Sequence, residues 1–174
     1  LLYLSGLVLL PLTALIVSLS GVSWSALVET VLAERSIAAL KITFGLSFLA
    51  ACINLVFGTV VAWTLVRYRF PGRLVFDALI DFPFALPTAV AGIALAAAYS
   101  KNGLIGSWLD SIGIRVAYTP LGILIALIFI TFPFVVRTIQ PALKDLEPSL
   151  EEASLTMGAS SFQTFRLVVF PNLF

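Results

Sequence analysis

"VAYTPLGILIALIFITFPFVV", residues 116–136, is a long run of sequence without a charged side chain. A helix needs roughly 20 apolar residues to cross the hydrocarbon core of a bilayer, which is about 30 Å thick. Three further uncharged runs of similar length lie upstream, at residues 1–19, 42–66 and 82–100. The chain is therefore predicted to be all-α, a polytopic transmembrane helical bundle with four full spans.

The composition supports a membrane protein and excludes several classes of function. Hydrophobic residues make up 60% of the chain and charged residues 11%, whereas an ordinary soluble domain is about 25% charged. The chain has no histidine, so the commonest metal ligand and proton shuttle are absent. The single cysteine, Cys52, excludes an intrachain disulfide and a multi-cysteine metal site. We predict no catalytic residue, no metal and no cofactor bound by this chain, and the net charge of +1 does not indicate nucleic acid.

The two ends of the chain suggest that it is a piece of a longer protein. Residues 1–19 do not begin with basic residues, and no cleavage signal of small residues follows them, which favours a retained helix over a signal peptide. The chain begins in apolar sequence and ends on "PNLF", which is typical of the first residues of another helix. We expect residues 1–174 to be a single transmembrane domain that is incomplete at the C-terminus and at the N-terminus.

The loops between the runs differ in their content of Lys and Arg. Residues 67–81 and 137–171 together carry six basic residues, and the other two loops carry four. Since basic residues concentrate in cytoplasmic loops, we predict that these two loops face the cytoplasm. Arg67, Arg69 and Arg73 are interpreted as a basic anchor at the membrane surface, with no specific role.

The third run contains two prolines near its start, Pro83 and Pro87. Proline lacks a backbone donor and clashes with the preceding turn, so we predict a broken or kinked helix here. One interpretation is an ordinary helix start with proline in its first turn. The other is that freed backbone groups line a passage, as in the discontinuous helices of transporters.

A different kind of segment, "EEASLTMGASSFQTFRLVVFP", occupies residues 151–171. Pro148 suits a first helical turn, and Ser149 with Glu152 fits a capping box at the start of a helix. Gly158 is predicted to end this helix, because a left-handed residue is easiest for glycine.

A second short helix is predicted to follow at once. Ser160 and Gln163 fit another capping box, and the helix should end or bend near Pro171. Only Arg166 is basic between residues 145 and 174, so a DNA-binding helix-turn-helix is rejected. A helix pair at the membrane surface is the simplest interpretation, with four side chains available for contacts: Leu155, Met157, Phe162 and Phe165.

The spacing within this segment resembles the "EAA" loop of ATP-binding-cassette (ABC) importer permeases. That family's pattern is Glu-Ala-Ala, three residues, Gly, nine residues, Ile, one residue, Leu-Pro. The same spacing is found here at Glu152, Ala153, Ser154, Gly158, Val168, Phe170 and Pro171. Ser154 replaces the second alanine, Val168 the isoleucine and Phe170 the leucine.

The resemblance implies a type I ABC importer permease fold, here truncated, with residues 145–171 as the cytoplasmic coupling loop. In that family the loop docks on an ATPase subunit and transmits its movement to the membrane helices. This chain has no phosphate-binding glycine loop, so ATP hydrolysis is assigned to a partner and the chain is predicted not to be an enzyme. The residues predicted to couple it to the ATPase are Glu152, Ala153, Gly158, Leu155 and Phe162. For Glu152, a capping carboxylate is an equal alternative.

Two further stretches, residues 66–95 and 119–143, resemble the sulfate and thiosulfate branch of these permeases, in particular its T-type subunit. Molybdate permeases are the nearest alternative. The resemblance implies ABC ATPase subunits, a second permease subunit and an extracytoplasmic sulfate-binding protein as partners. It places the chain in the lipid membrane of a bacterial cell, the inner membrane, with a plastid membrane as the alternative.

An anion crossing the membrane requires hydrogen-bond donors along its path. The candidates for this substrate pathway are Thr88, Ser47, Asn54 and Thr131, although each can equally bond to the backbone of its own helix. A secondary transporter or channel is the rival outside this class. It predicts acidic or basic residues within the spans for ion coupling, and the four runs contain none.

Overall fold

The computed structural model describes residues 2–173, and within them the side chains of residues 6–18 and 21–173. All regular structure in this part of the chain is helical, as predicted. The chain divides into two compact units, residues 1–44 and 45–174.

The first unit is made of helices joined by short turns. It contains α1 (Leu2–Ser20), α2 (Trp24–Leu32) and the beginning of α3 (Glu34–Arg67). Ser23 precedes α2, and its hydroxyl accepts a hydrogen bond from the backbone N–H of Ala26 at 3.3 Å. This serine cap explains why α2 begins at Trp24.

The second unit contains the rest of α3 and the remaining helices. They are α4 (Arg73–Ile80), α5 (Phe82–Ala85), α6 (Thr88–Ala98), α7 (Gly106–Ser111), α8 (Pro120–Asp145), α9 (Pro148–Thr156), α10 (Ser161–Thr164), a π-helical turn (Phe165–Val169) and α11 (Phe170–Leu173).

Two helices in the described chain are long and apolar enough to cross a membrane, α3 and α8. With 34 residues and a rise of 1.5 Å per residue, α3 is about 51 Å long. With 26 residues, α8 is about 39 Å long. They contain the predicted span 42–66 and most of 116–136, and their length and composition are consistent with two membrane spans.

The other two predicted spans correspond to shorter apolar helices. In α1 the apolar part with described side chains is Gly6–Ser18, and the apolar helix of the third run is α6, Thr88–Ala98. Residue 1 lies outside the described part of the chain. α1, with 19 residues, is close to the roughly 20 that a straight crossing requires, whereas α6, with 11 residues, is shorter.

The third run is broken, as its prolines predicted. Pro83 lies in the first turn of α5, and the helix ends at Ala85. Leu86 is extended (φ −98°, ψ 129°) because the ring of the following proline disfavours helical backbone at this position. α6 begins after Pro87, so Pro83 starts one short helix and Pro87 separates it from the next.

Small residues on one side of α3 permit a close approach to α8. Four buried positions recur at intervals of four residues: Ala50, Asn54, Gly58 and Ala62. A Cβ atom added to Gly58 would lie 2.8 Å from Cγ1 of Val135 on α8. Small residues bring helices together in this way in membranes, where the hydrophobic effect does not drive association.

The core of the second unit lies where α3, α4 and α8 meet the end of the chain. Its buried residues are Ala62, Leu65, Ile80, Val136, Ile139, Leu143, Leu146 and Val169. Since Val169 belongs to the π-helical turn, this core holds the segment after α10 against the membrane helices. Cys52, by contrast, is exposed on α3 and does not pack in this core.

Candidate coupling loop and polar sites

The segment that begins at α9 turns back at Gly158, as predicted. Gly158 has φ +88°, in the left-handed region that favours glycine. Its N–H donates to the carbonyl of Leu155 at 3.0 Å, and the N–H of Ala159 donates to the carbonyl of Ser154 at 3.1 Å. This pair of bonds is a Schellman motif, which satisfies carbonyls left unpaired at the end of α9.

The second predicted capping box is confirmed. The Ser160 hydroxyl accepts from the N–H of Gln163 at 3.3 Å, and Oε1 of Gln163 accepts from the N–H of Ser160 at 2.8 Å. α10 therefore starts from its own local signal, immediately after the turn at Gly158.

The first predicted capping box is wrong. α9 is capped at Glu147 without a side-chain hydrogen bond, and Pro148 occupies its first turn. Proline is preorganised for the first helical position, so the helix begins before Ser149 and leaves that residue inside it. Glu152 consequently does not cap this helix, and it is exposed.

The helix that was predicted to end or bend near Pro171 continues through this residue to Leu173, with a π-helical turn directly before it. The N–H of Phe170 donates to the carbonyl of Phe165, five residues earlier. Pro171 lies within α11 directly after this turn. A proline ring clashes with the carbonyl four residues before it in a regular α-helix, and the wider π turn accommodates this change.

The residues predicted to couple the loop to an ATPase lie on its exposed side. All five are accessible in this chain: Glu152, Ala153, Gly158, Leu155 and Phe162. Together with Met157, which is 83% exposed, Leu155 and Phe162 form an apolar surface at the tip. We call these three residues the apolar tip.

Phe165 does not belong to this surface. Its ring packs against Trp63 of α3, with centroids 5.5 Å apart, and Phe170 lies beside it at 6.4 Å, so that the residue is half-buried. Phe165 therefore makes its contact within the chain, with α3, whereas the other three side chains are exposed.

A buried hydrogen bond joins the two halves of the loop. The hydroxyls of Ser154 and Thr164 are 2.7 Å apart, and both residues are almost fully buried, at 4% and 3% exposure. Ser154 occupies the position of the second alanine in the EAA pattern. Its hydroxyl finds a partner in Thr164, so the substitution adds a link between α9 and α10 and leaves no buried polar group unpaired.

Arg67 connects the loop to the membrane helices. Its Nε donates to Oε1 of Glu151 at 2.7 Å, and its Nη2 donates to the carbonyl of Leu146 at 2.9 Å. The interpretation of Arg67 as an unspecific basic anchor is therefore wrong. No local pattern indicated this pair, because its members lie 84 residues apart.

A second arginine, Arg137 of α8, binds two carboxylates beside the break in the third run. It contacts Asp81 at 2.8 and 2.6 Å and Asp77 at 2.7 Å, and its Nη1 also donates to Gln140 at 2.7 Å. Burial alone would raise the pKa of Asp77, but hydrogen bonds from Arg137 and Gln140 outweigh it and lower the pKa. Sequence reasoning missed this cluster. The four-residue interval between Asp77 and Asp81 was the available signal, because it places both on one side of a helical segment.

Three of the four predicted pathway residues line one groove between α3 and α8. Ser47, Asn54 and Thr131 border this cavity of about 480 Å³ together with apolar side chains. Thr88 lies elsewhere, exposed at the start of α6. Three of the candidates therefore lie around one groove, and the fourth lies beside the break; their role in a substrate path stays a prediction.

Within this groove the donors of Asn54 and Thr131 are already used. Nδ2 of Asn54 donates to Oγ1 of Thr131 at 2.7 Å and to the carbonyl of Ile128 at 3.1 Å. The Thr131 hydroxyl donates to the carbonyl of Leu127 at 2.7 Å. Oδ1 of Asn54 is buried and has no hydrogen-bond partner among the described residues. This pair therefore ties α3 to α8, and its donors are not free to bind an anion.

Comparison with known proteins places these features in a family. Residues 54–174 match the family described as binding-protein-dependent transport system inner membrane component. The sulfate transport system permease protein CysT of Escherichia coli (strain K12) is 50% identical over 173 residues, which are 99% of this chain and 62% of that protein. A probable sulfate transport system permease protein of Nephroselmis olivacea is 49% identical over 173 residues, covering 99% of this chain and 61% of that protein.

A third relative is the sulfate transport system permease protein CysT of Synechococcus elongatus. It is 45% identical over 171 residues, which are 98% of this chain and 62% of that protein. The chain thus spans less than two thirds of the length of these relatives. The family match includes α8, the candidate coupling loop and most of the polar contacts described above. The protein belongs to the family of binding-protein-dependent transport system inner membrane components.

Proposed function

We propose that this chain is part of a membrane-spanning permease subunit of an ATP-driven ABC importer for sulfate or thiosulfate. The relatives that are 45% to 50% identical are sulfate transport system permeases, which supports sulfate as the substrate. A permease for molybdate or another oxyanion is the alternative within the class. A secondary transporter or channel is the alternative outside it.

The coupling loop is the observation that carries this proposal. The loop presents an apolar tip, with Met157 83% and Phe162 71% exposed, on a base that is held by Arg67 and Trp63 of α3. An exposed apolar patch on a rigid base is typical of a site for another protein. A tip of this kind can receive movement from an ATPase subunit and pass it to α3 and α8.

The proposed architecture is a type I importer permease, in which residues 1–174 are one domain and residues 145–171 face the cytoplasm. α3 and α8 cross the membrane, and α1 and the broken segment α5–α6 complete four crossings in the assembled protein. The subunit would be multi-pass in a bacterial inner membrane, or in a plastid membrane.

Transport would proceed by alternating access. Two ATPase subunits close on ATP, the coupling loops move with them, and this subunit and a second permease subunit open towards one side or the other. An extracytoplasmic sulfate-binding protein delivers the anion. The chain itself carries out no hydrolysis, and its part in the reaction is mechanical.

The anion path would run past the groove that Ser47 lines together with Asn54 and Thr131, and past Thr88 at the break. A dianion in a low-dielectric region requires donors. Since the donors of Asn54 and Thr131 bind within the protein, these two residues shape the path, and Ser47 and Thr88 are the residues with hydroxyls to offer.

The substrate is tested by uptake of labelled sulfate in cells that lack this subunit, complemented with the full-length gene. We expect complementation to restore sulfate uptake, and unlabelled thiosulfate to compete with it. Loss of molybdate uptake alone in the deletion strain would contradict the sulfate assignment and favour the oxyanion alternative.

Docking is tested by crosslinking in the complete transporter. Cys52 is exposed and is first replaced by serine. Phe162→Cys should then crosslink to an ATPase subunit, whereas Leu104→Cys, which is 94% exposed on a predicted extracytoplasmic loop, should not. Equal crosslinking at both positions, or none at Phe162, would exclude the loop as the docking site.

A further inference from the structure

Arg67 joins three helices through one guanidinium group. It is the last residue of α3, and it donates to Glu151 in the first turn of α9 and to the carbonyl of Leu146 at the end of α8. The side chains of Arg67 and Glu151 are only 16% and 13% exposed. This arrangement differs from a solvated surface ion pair, which contributes little.

Each partner of Arg67 is a group that needs a donor. Leu146 follows α8 directly, and the last four carbonyls of a helix have no partner within it. Glu151 is a carboxylate that is largely removed from water, and such a charge is costly unless it is paired. The planar guanidinium satisfies both at once, which a lysine ammonium does not do with the same geometry.

A second contact between α3 and the loop lies one turn away from Arg67. Trp63 packs against Phe165, with ring centroids 5.5 Å apart, and against Tyr68, at 6.0 Å. Arg67 therefore holds the first half of the loop, and Trp63 holds the second half. The buried hydrogen bond between Ser154 and Thr164 keeps the two halves together.

This contact is difficult to open during movement. Removing one member of a largely buried ion pair leaves the other charge without a partner, which costs more than the pair itself contributes. α3, the end of α8 and α9 are thus expected to move as one body when the loop is displaced.

We propose that Arg67 is a positioning residue that transmits movement of the coupling loop to α3 through its bonds to Glu151 and Leu146. This inference rests on the proposed function, because it assigns a route for the force that an ATPase subunit applies to the loop. Without Arg67 the loop still docks, but α3 follows its movement less completely.

The experiment uses the complete transporter, reconstituted in vesicles with its ATPase subunits and binding protein. Sulfate uptake and ATP hydrolysis are measured in the same vesicles, and co-purification of the ATPase subunits reports assembly. The variants are Arg67→Gln, Glu151→Gln and the two combined. Arg69→Gln is the matched control, because Arg69 is an exposed arginine two residues along the chain.

We expect Arg67→Gln to lower the ratio of sulfate uptake to ATP hydrolysis by about fivefold or more, which is the lower end of the usual range for coupling between sites. Assembly and hydrolysis should persist. Glu151→Gln should act in the same direction, and the double variant should be no worse than Arg67→Gln, because the bond that Glu151→Gln removes is already absent in Arg67→Gln. Arg69→Gln should leave the ratio unchanged.

A wild-type ratio in Arg67→Gln, or single effects that simply add in the double variant, would overturn this inference. If the Arg67→Gln transporter does not assemble, the ratio measured for Glu151→Gln tests the inference instead. Glutamine preserves the shape of the Glu151 side chain, and Arg67 keeps its bond to Leu146. Failure of the proposed function would be recognised separately, because the wild-type transporter would then show no ATP-dependent uptake.

Discussion

Arg137 and Asp81 form a bidentate ion pair, with Nε 2.8 Å from Oδ1 and Nη2 2.6 Å from Oδ2. Arg137 belongs to α8, and Asp81 stands between α4 and α5, just before the proline break. Paired parallel hydrogen bonds of this kind fix both distance and orientation. The broken segment is thereby held against α8 at one defined position.

Replacing Arg137 with lysine should lower the stability of the second unit. A lysine keeps the charge but cannot make two parallel bonds to Asp81 while also binding Asp77. Because the groups are partly exposed, we expect a loss of about 1 to 2 kcal/mol in the free energy of unfolding. Thermal unfolding of the detergent-solubilised protein measures this loss.

Arg115→Lys is the control for Arg137→Lys. Arg115 is 82% exposed and lies 3.6 Å from Asp110, so its replacement should change stability by less than about 0.5 kcal/mol. Equal effects of the two substitutions would mean that the bidentate geometry does not matter.

The contribution of Asp77 to stability should depend on pH. Its pKa is lowered in the folded protein, where hydrogen bonds from Arg137 and Gln140 outweigh burial. A lowered pKa stabilises the protein above the pKa of the unfolded state, and this stabilisation is lost as the pH falls through the folded pKa. The unfolding temperatures of wild type and Asp77→Asn should differ by a constant amount above about pH 5 and converge below it. If the difference between the two unfolding temperatures grew towards acid pH, the pKa of Asp77 would not be lowered in the folded protein.

Gly58→Ala should push α3 and α8 apart. The added Cβ would lie 2.8 Å from Cγ1 of Val135 and 3.2 Å from its Cβ, so the two helices must separate. Overpacking of this kind typically costs about 1 to 3 kcal/mol. Thermal unfolding should show the loss, and Val135→Ala in the same protein should recover part of it.

The matched control for Gly58 is Gly45→Ala, in the same helix. A Cβ at Gly45 would have nothing within 4 Å, and alanine favours a helix over glycine by up to about 1 kcal/mol. This variant should therefore be neutral or more stable. If both variants behave alike, helix propensity rather than contact with α8 governs Gly58.

Gly158→Val should strain the turn of the coupling loop. Gly158 has φ +88°, a left-handed backbone conformation that costs a residue other than glycine about 1 to 2 kcal/mol. We expect ATP hydrolysis to continue while sulfate uptake falls, as measured in vesicles with the complete transporter. Gly158→Asn should be tolerated, since asparagine is also found at this position in helix caps.

Gly113→Val is a control for backbone strain in general. Gly113 has φ +81° and follows α7, far along the chain from the coupling loop. It should lower stability to a similar degree and leave the ratio of uptake to hydrolysis unchanged. If the ratio of uptake to hydrolysis falls in both variants, instability and not the geometry of the loop explains the effect of Gly158→Val.

Much of the coupling loop was predictable because its signals are local. Gly158, Ser160 and Gln163 act on backbone groups within a few residues of themselves, so spacing alone indicated the turn and the second capping box. The first capping box failed where two local signals competed. Pro148 set the start of α9 before Ser149, and a proline in the first turn is consistent with that outcome.

The hydrogen-bond partners of the predicted pathway residues could not be predicted from local sequence. Ser47, Asn54 and Thr131 were chosen because they are polar, and they do lie around one groove. Sequence could not tell that the donors of Asn54 bind Ile128 and Thr131. That depends on how α3 and α8 are rotated against each other, which a pattern of polar residues does not encode.

Local sequence was enough to predict a membrane helical protein with a glycine-centred turn after α8, because uncharged runs and short-range caps are properties of continuous stretches of chain. The distant pairs became known only from the packed helices: Arg67 with Glu151, 84 residues away, and Arg137 with Asp81, 56 residues away. Such pairs depend on the packing and rotation of whole helices, so each charge finds its partner only when the helices are in place.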